Sequence, residues 1–269
     1  FNSSTSTAAF SISPTFARAC AFALALSRQT DGIFDPTLDP LINLWGFGHK
    51  QKTTEPPSEE QVREALSIIG YRHLSMWPDG SIQKDIPELQ INLNALVPGL
   101  ASDEIAKVIT EAGITNLFVE VGGEVMAFGH NAKGEPWKIG IEKPVSSALP
   151  GEALEAVVQL SDKAIATSGD YRSYFTDADG QTYSHILNPK TGRPVKHRLA
   201  SVSVVAGTCM AADAIATALF AMGSEQAPQW LEQHPDADAL FILRNGDGSF
   251  SEIMSPGFAA STGYKPVVD

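Results

Sequence analysis

Cysteine, basic runs and long apolar stretches are all scarce in this sequence, and each shortage removes a class of protein. Only Cys20 and Cys209 occur among 269 residues. Two thiols close one disulfide at most, so the chain has neither a disulfide framework nor a zinc site. Both read best as small buried hydrophobes, and they leave the redox compartment open. Lys and Arg number 19 against 31 Asp and Glu, a formal charge of −12, and no lysine or arginine run offsets it. That balance argues against nucleic acid as a partner, because phosphate backbones need a basic footprint. A phosphorylated ligand would have to be met by local cations, backbone N–H groups or a metal ion. No stretch is long and apolar enough to span a membrane. Residues 16–26 are apolar but short, contain Arg18 and run into Ser27-Arg28, which reads as an amphipathic core helix rather than a signal sequence. There is no G-x-G-x-x-G, no P-loop, no repeat, no low-complexity tract and no linker.

What is present is an ordinary globular composition, 43% hydrophobic and 19% charged. Ser13 and Pro14 suit a helix start, predicting a helix over 13–30. Residues 31–57 are punctuated by Gly and Pro and are expected to be irregular. Ser58 with Gln61 forms a capping-box pattern for a helix to Gly70. Short strands are expected near 72–77 and 89–95. Pro98 opens a helix over 98–112, with Leu100, Ile105, Val108, Ile109 and Ala112 as its buried stripe, and Gly113 stops it. A strand at 117–121 meets Gly122-Gly123, expected as a bulge or a close backbone approach. Further strands are expected at 137–142, 154–160, 163–167, 182–187 and 199–206. A helix from about Met210 should end at Gly223, another should cover 224–233, and a hairpin over 239–253 should turn at 245–248. Strands and helices mix without βαβ alternation, so the expected class is α+β in one domain over 1–269.

Four stretches could carry chemistry. Asp213 and Thr217 are four apart in an alanine-rich helix, so their oxygens share one face. Carboxylate and hydroxyl are hard donors that suit magnesium better than zinc. Alternatively, Asp213 serves the helix dipole and Thr217 bonds back to a carbonyl. Residues 166–172 (Ala-Thr-Ser-Gly-Asp-Tyr-Arg) run a strand into a glycine turn, where backbone donors and the Arg172 fork could meet an anion. His185 lies in a strand before the Asn-Pro-Lys-Thr-Gly turn, and could accept a hydroxyl proton near neutral pH or serve structure alone. The loop Asp31-Gly32-Ile33-Phe34-Asp35 and the later Asn43-Leu44-Trp45-Gly46-Phe47-Gly48 offer backbone and aromatics to a planar ring, or pin a long loop to the core.

The order of these motifs is more specific than any one of them. T-D-G-x-F/M-D, N-L-W-G-F-G, V-G-G-E-V, A-T-S-G-x-Y-R, S-H-x-x-x-P-x-T-G-R-P and A-D-A-x-x-T-x-L begin at Thr30, Asn43, Val121, Ala166, Ser184 and Ala212. The series resembles the bacterial FAD:protein FMN transferases, the ApbE flavin transferases, from Phe1 to about Gly257. The resemblance implies an antiparallel-sheet core flanked by helices, an ApbE-like (T-fold-like) fold. It implies FAD as substrate in a cleft, with Mg2+ at its pyrophosphate held by the Ala95 carbonyl, Asp213 and Thr217. Ile33, Phe34 and Asp35 would contact the flavin, and Asn92, Ala95, Pro98 and Leu187 would contact FAD. His185 would stand beside the reacting phosphate as base. The implied reaction moves FMN from FAD to a Thr or Ser hydroxyl of an acceptor protein, a membrane redox subunit, and releases AMP. Three features depart from the family pattern: Asn92 replaces an acid, Pro98 replaces a charged residue, and Ala95 offers only its carbonyl. A strand with a T-M-G-T-like motif and a flavin-stacking aromatic would precede Phe1. Two alternatives accompany this reading: an FAD pyrophosphatase giving FMN and AMP, and a flavin binder without turnover, favoured by Asn92 and Pro98 but opposed by His185, Asp213 and Thr217. By resemblance the protein would act on the periplasmic side of the bacterial inner membrane, as a lipoprotein.

Overall fold

A computed structural model describes residues 1–49, 53, 55–145 and 151–267. In chain order its elements are α1 (Pro14–Gln29), α2 (Asp39–Leu44), α3 (Glu59–Leu66), β1 (Leu74–Met76), β2 (Ile82–Lys84), α4 (Val97–Glu111), β3 (Leu117–Val121), β4 (Glu124–Phe128), β5 (Trp137–Glu142), β6 (Leu154–Leu160), β7 (Lys163–Gly169), β8 (Tyr174–Thr176), β9 (Thr182–Ser184), β10 (Leu187–Asn188), β11 (Arg193–Pro194), β12 (Leu199–Ala206), α5 (Cys209–Glu232), β13 (Ala237–Arg244), β14 (Phe250–Met254), α6 (Phe258–Thr262) and β15 (Lys265–Pro266). Every described strand pairing is antiparallel, which gives the α+β class expected of the sequence. The chain forms two compact units, one of residues 1–95 with 173–196 and one of 96–172 with 197–269.

The first unit holds α1–α3 and the three small hairpins β1–β2, β8–β9 and β10–β11. The Ser13 hydroxyl accepts the Phe16 N–H ahead of Pro14, and the Ser58–Gln61 capping box forms as the sequence predicts. Its aromatic core packs Trp45, Tyr183, Leu41, Val62 and Leu187, and Trp45 Nε1 donates to the Gly192 carbonyl at 2.7 Å. Lys84 is fully buried. Its ammonium donates to the carbonyls of Ser4 at 2.7 Å, Leu89 at 2.9 Å and Phe1 at 3.3 Å. The strand expected at 89–95 is not formed, because two side chains and a loop carbonyl take these backbone groups. The Asn2 amide brackets Ile91, Lys84 takes the Leu89 carbonyl, and the Asn92 N–H goes to the Pro36 carbonyl. The stretch expected to be irregular contains α2, which Asp39 and Pro40 open.

The second unit packs a six-stranded sheet, β14-β13-β12-β7-β4-β3, against a three-stranded sheet, β15-β6-β5, with Ile141, Val158, Leu160, Ile165, Val205 and Ile242 in the core between them. α4 and α5 pack on the other face of the large sheet. Strand alternation separates the two sides: Ser168 touches Thr217 of α5, while Val125 and Ile165 lie in the inter-sheet core. Gly122 and Gly123, both at positive φ, form a two-residue turn between paired Val121 and Glu124, a hairpin rather than the expected bulge. The strand expected over 182–187 breaks at His185–Ile186 into β9 and β10, each paired within its own hairpin. α5 runs through to Glu232 but breaks its helical geometry at Gly223 (φ 80°), where the sequence placed a helix end. α4 buries Gly99, Leu100, Ser102 and Ala106, whereas Ile105 and Val108 of the expected stripe are exposed, as is Ala112, and Ile109 is half-buried. Among the described residues no helix is long and apolar enough to cross a membrane.

Candidate functional site

The second unit concentrates its polar chemistry where α4 and α5 meet. The α5 N-terminus is capped twice. The Thr208 hydroxyl accepts the Ala211 N–H, and the two Asp103 oxygens accept the N–H groups of Cys209 and Met210 at 2.8 and 2.9 Å. The first-turn donors of α5 are therefore satisfied without Asp213. Asp213 is only 7% exposed. Its Oδ2 accepts the Gly99 N–H at 3.0 Å. Burial pushes its carboxyl up to about 7, the charge of Glu124 adds to the rise, and the Gly99 bond opposes it. Burial raises Glu124 as well. Thr217, one turn on, meets the Ser168 hydroxyl at 3.0 Å rather than a backbone carbonyl. A side chain at Gly99 would collide with the Cys209 carbonyl and come within 2.9 Å of Asp213 Cβ, so only glycine lets the two helices approach this closely. Pro98 opens α4, with one face near the Gly122 turn.

The result is a partly desolvated carboxylate beside a hydroxyl, near a second carboxylate. Hard oxygen donors of this kind suit magnesium. Among the described residues no three His, Cys, Asp or Glu side chains converge to hold a metal, so a zinc-type cage is not formed. Both cysteines are free and buried, and burial lifts the Cys20 thiol to about 12.

The other residues that the resemblance assigns lie in the first unit. His185 sits between the β8–β9 and β10–β11 hairpins, half-buried, with Nδ1 3.1 Å from the Ser173 carbonyl. A carbonyl only accepts, so Nδ1 carries the proton and a neutral ring has its lone pair on Nε2. The Phe47 ring meets the imidazole edge-on at 6.3 Å between centroids. Asp35 organises its own loop: Oδ1 accepts the Thr37 N–H and hydroxyl, and Oδ2 accepts the Tyr71 N–H at 2.8 Å. Burial raises its carboxyl against those bonds. Phe34 is buried and Ile33 half-buried, so the 33–35 segment offers a ligand backbone and part of Ile33. Leu187 is in the aromatic core. The Asn92 amide donates to buried Asp39 at 2.9 Å. Ala95 ends the first segment of this unit, so the three candidate metal ligands divide between the units: Ala95 in one, Asp213 and Thr217 in the other.

Sequence reasoning missed Asp103 and Glu124 as neighbours of the site. Asp103 lies 106 residues from the helix it caps and carries no local signal. Glu124 was visible only as part of the V-G-G-E-V motif.

The chain thus joins an antiparallel α+β fold to a buried helical aspartate, a half-buried hydroxyl one turn on and a histidine whose Nδ1 meets a carbonyl. Comparison narrows this. The model of the ApbE family matches residues 1–241. A FAD:protein FMN transferase of Vibrio cholerae is 39% identical over 258 residues, covering 96% of this chain and 75% of that protein. The Escherichia coli protein of the same name is 36% identical over 261 residues, covering 96% and 73%. Among solved structures, the flavin transferase ApbE from Vibrio cholerae superposes with a TM-score of 0.86 at 37% identity, covering 97% of this chain and 81% of that one. The apo form of Pseudomonas stutzeri flavinyl transferase ApbE gives 0.83 at 34% identity, covering 95% and 77%. The chain belongs to the ApbE family.

Proposed function

We propose that this protein transfers FMN from FAD to a hydroxyl side chain of an acceptor protein, in a magnesium-dependent reaction that releases AMP. The observation that carries the reading is Asp213, a buried carboxylate with one oxygen on the Gly99 N–H of α4, not needed to cap its own helix and one turn from Thr217. In this reading Asp213, Thr217 and the Ala95 carbonyl hold Mg2+, whose charge would offset that of the FAD pyrophosphate. Backbone and half-buried groups of Ile33–Asp35, with Asn92, Pro98 and Leu187, orient the flavin nucleotide.

His185 holds its Nδ1 proton on the Ser173 carbonyl and takes the acceptor hydroxyl proton at Nε2. The hydroxyl oxygen bonds to the FMN-side phosphorus as the bond from that phosphorus to the bridging oxygen breaks, and AMP departs with that oxygen. Water in place of the hydroxyl gives FMN and AMP. Asn92 and Pro98 are compatible with this role: the Asn92 amide is engaged by Asp39, and Pro98 occupies the first turn of α4, where proline is favoured.

Incubating the purified protein with FAD, with and without Mg2+ and a flavinylatable acceptor domain, tests the reading. Magnesium-dependent AMP release and a covalently fluorescent acceptor are expected. FAD binding without AMP release would leave a flavin binder instead. The family likeness also supports a periplasmic lipoprotein acting on a membrane redox subunit. Fractionating cells that express the whole gene checks that placement.

A further inference from the structure

Arg172 has no part in the chemistry above, and it borders an opening of the second unit. The six-stranded sheet ends at β3 and the three-stranded sheet at β5, so each presents an outer edge that no described strand pairs. A groove of about 660 Å³ opens between them, with Phe118 and Ile139 in its apolar walls and Thr167 inside. It lies across the sheet from the α5 site. Thr167 lines the groove, whereas its neighbour Ser168 bonds Thr217 on the other face.

The charges on the rim do not suit a nucleotide phosphate. Arg172 is committed to Glu142 at 2.5 Å, and Lys138 pairs with Glu135 at 3.8 Å. Neither Glu120 nor Glu124, which also lines the groove, has a cation within ion-pair distance among the described residues. The uncompensated charge of the groove is thus negative and calls for a basic group.

At one end the groove reaches Gly122–Gly123. A methyl on Gly122 would stand 3.7 Å from Pro98 Cβ, and the next residue, Gly99, holds Asp213. A cleft bordered by unpaired strand edges, with an apolar wall and two carboxylates, Glu120 and Glu124, outside any described ion pair, matches an extended polypeptide. Its backbone would complete an edge, its alternate side chains would enter the cleft, and its charge would set the register. Lys138 on β5 is the kind of charge that keeps an edge strand from pairing indiscriminately.

We propose that this groove seats the acceptor polypeptide. An extended segment adds to the outer edge of β5, sets a basic side chain against Glu120, and runs toward Gly122–Gly123, where its hydroxyl residue is delivered. The proposal rests on the transferase reading above. It is tested with the full chain, FAD, Mg2+ and a purified flavinylatable acceptor domain. Glu120→Lys is expected to raise KM for the acceptor about tenfold while KM for FAD holds within twofold. A photo-crosslinking amino acid at position 138 should capture the acceptor, and unlabelled acceptor should compete. An unchanged acceptor KM together with no acceptor crosslink overturns the proposal, as does a crosslink to a second copy of the chain. If Glu120→Lys does not fold, Glu120→Gln with the crosslink decides in the same way. A wild-type protein that neither releases AMP nor flavinylates the acceptor is a different result: it sinks the transferase reading, and the acceptor seat with it.

Discussion

Replacing Asp213 with asparagine should stabilise the metal-free protein at alkaline pH while removing its response to magnesium. The carboxyl moves from an ordinary 3.8 to about 7 on folding, chiefly through burial and then through Glu124. The folded state therefore holds this proton more tightly than the unfolded chain does. As pH rises from 3.8 to about 7, the unfolded chain releases the proton first, so stability falls across that window and levels off above it. At about 1.4 kcal/mol per pH unit the full loss is about 4 kcal/mol. Asparagine keeps an oxygen for the Gly99 N–H and has no charge to desolvate. The stability difference between Asp213→Asn and wild type should grow in the variant's favour by about 3 kcal/mol between pH 4.5 and 8. Urea unfolding of metal-free samples at both pH values measures it. Glu124→Gln should shrink the difference by removing the second cause. Saturating Mg2+ at pH 8 should stabilise the wild type and leave Asp213→Asn unmoved. A difference that stays constant with pH would refute the account of a desolvated carboxylate, and equal magnesium responses would remove Asp213 from the metal site.

His185→Asn should lower turnover on the order of a hundredfold or more and change the FAD dissociation constant little, because a base acts in the transition state. A collapse of affinity at unchanged turnover would make His185 a binding residue. Gly99→Ala should cost about 3 kcal/mol in thermal or urea unfolding, since its methyl meets the Cys209 carbonyl and Asp213. A neutral result would mean that α4 and α5 can separate without loss. Lys84→Met should cost about 1–3 kcal/mol by leaving three carbonyls without their donor. Hydrogen exchange over residues 1–10 should accelerate with it, and unchanged protection there would show that the lysine does not anchor the segment.

Much of the fold was legible where one local signal sufficed. β3, β5, β6 and β12 fall on the residues their patterns mark, and the Ser13 cap and the Ser58–Gln61 box form as read. Segments governed by distant side chains were less legible. Residues 89–95 have the alternation of a strand, yet the remote Asn2 and Pro36, with Lys84 nearby, occupy their backbone groups. The pairing of Asp213 with Thr217 on one helical face could be read from spacing. That α5 is capped without Asp213 could not, because Asp103 comes from another helix. Asn92, a departure from the family pattern in sequence, gains a local reason in structure. Its amide donates to buried Asp39, where a second carboxylate would repel the first unless a proton or cation intervened.

The misplaced face of α4 follows from the demands of the site. Periodicity assigned the core to Leu100, Ile105, Val108, Ile109 and Ala112, since branched and apolar side chains at helical spacing usually face inward, and of these only Leu100 is buried. Gly99 must donate to Asp213 at 3.0 Å, and that bond draws the α4 backbone against α5. At such an approach only small side chains fit between the helices. Gly99, Ser102 and Ala106 meet that limit, and a larger residue at Gly99 would displace the Cys209 carbonyl. Once those positions face inward, the 3.6-residue turn carries Val97, Ile105 and Val108 to the outer surface, where they are 44%, 43% and 66% exposed. The helix therefore gives up apolar burial at three positions to hold one backbone donor on one carboxylate. A purely structural α4 would have used its branched residues for packing and left the small ones outside. This inversion is an independent reason to place function at the α4–α5 junction, and it comes from packing rather than from the motif.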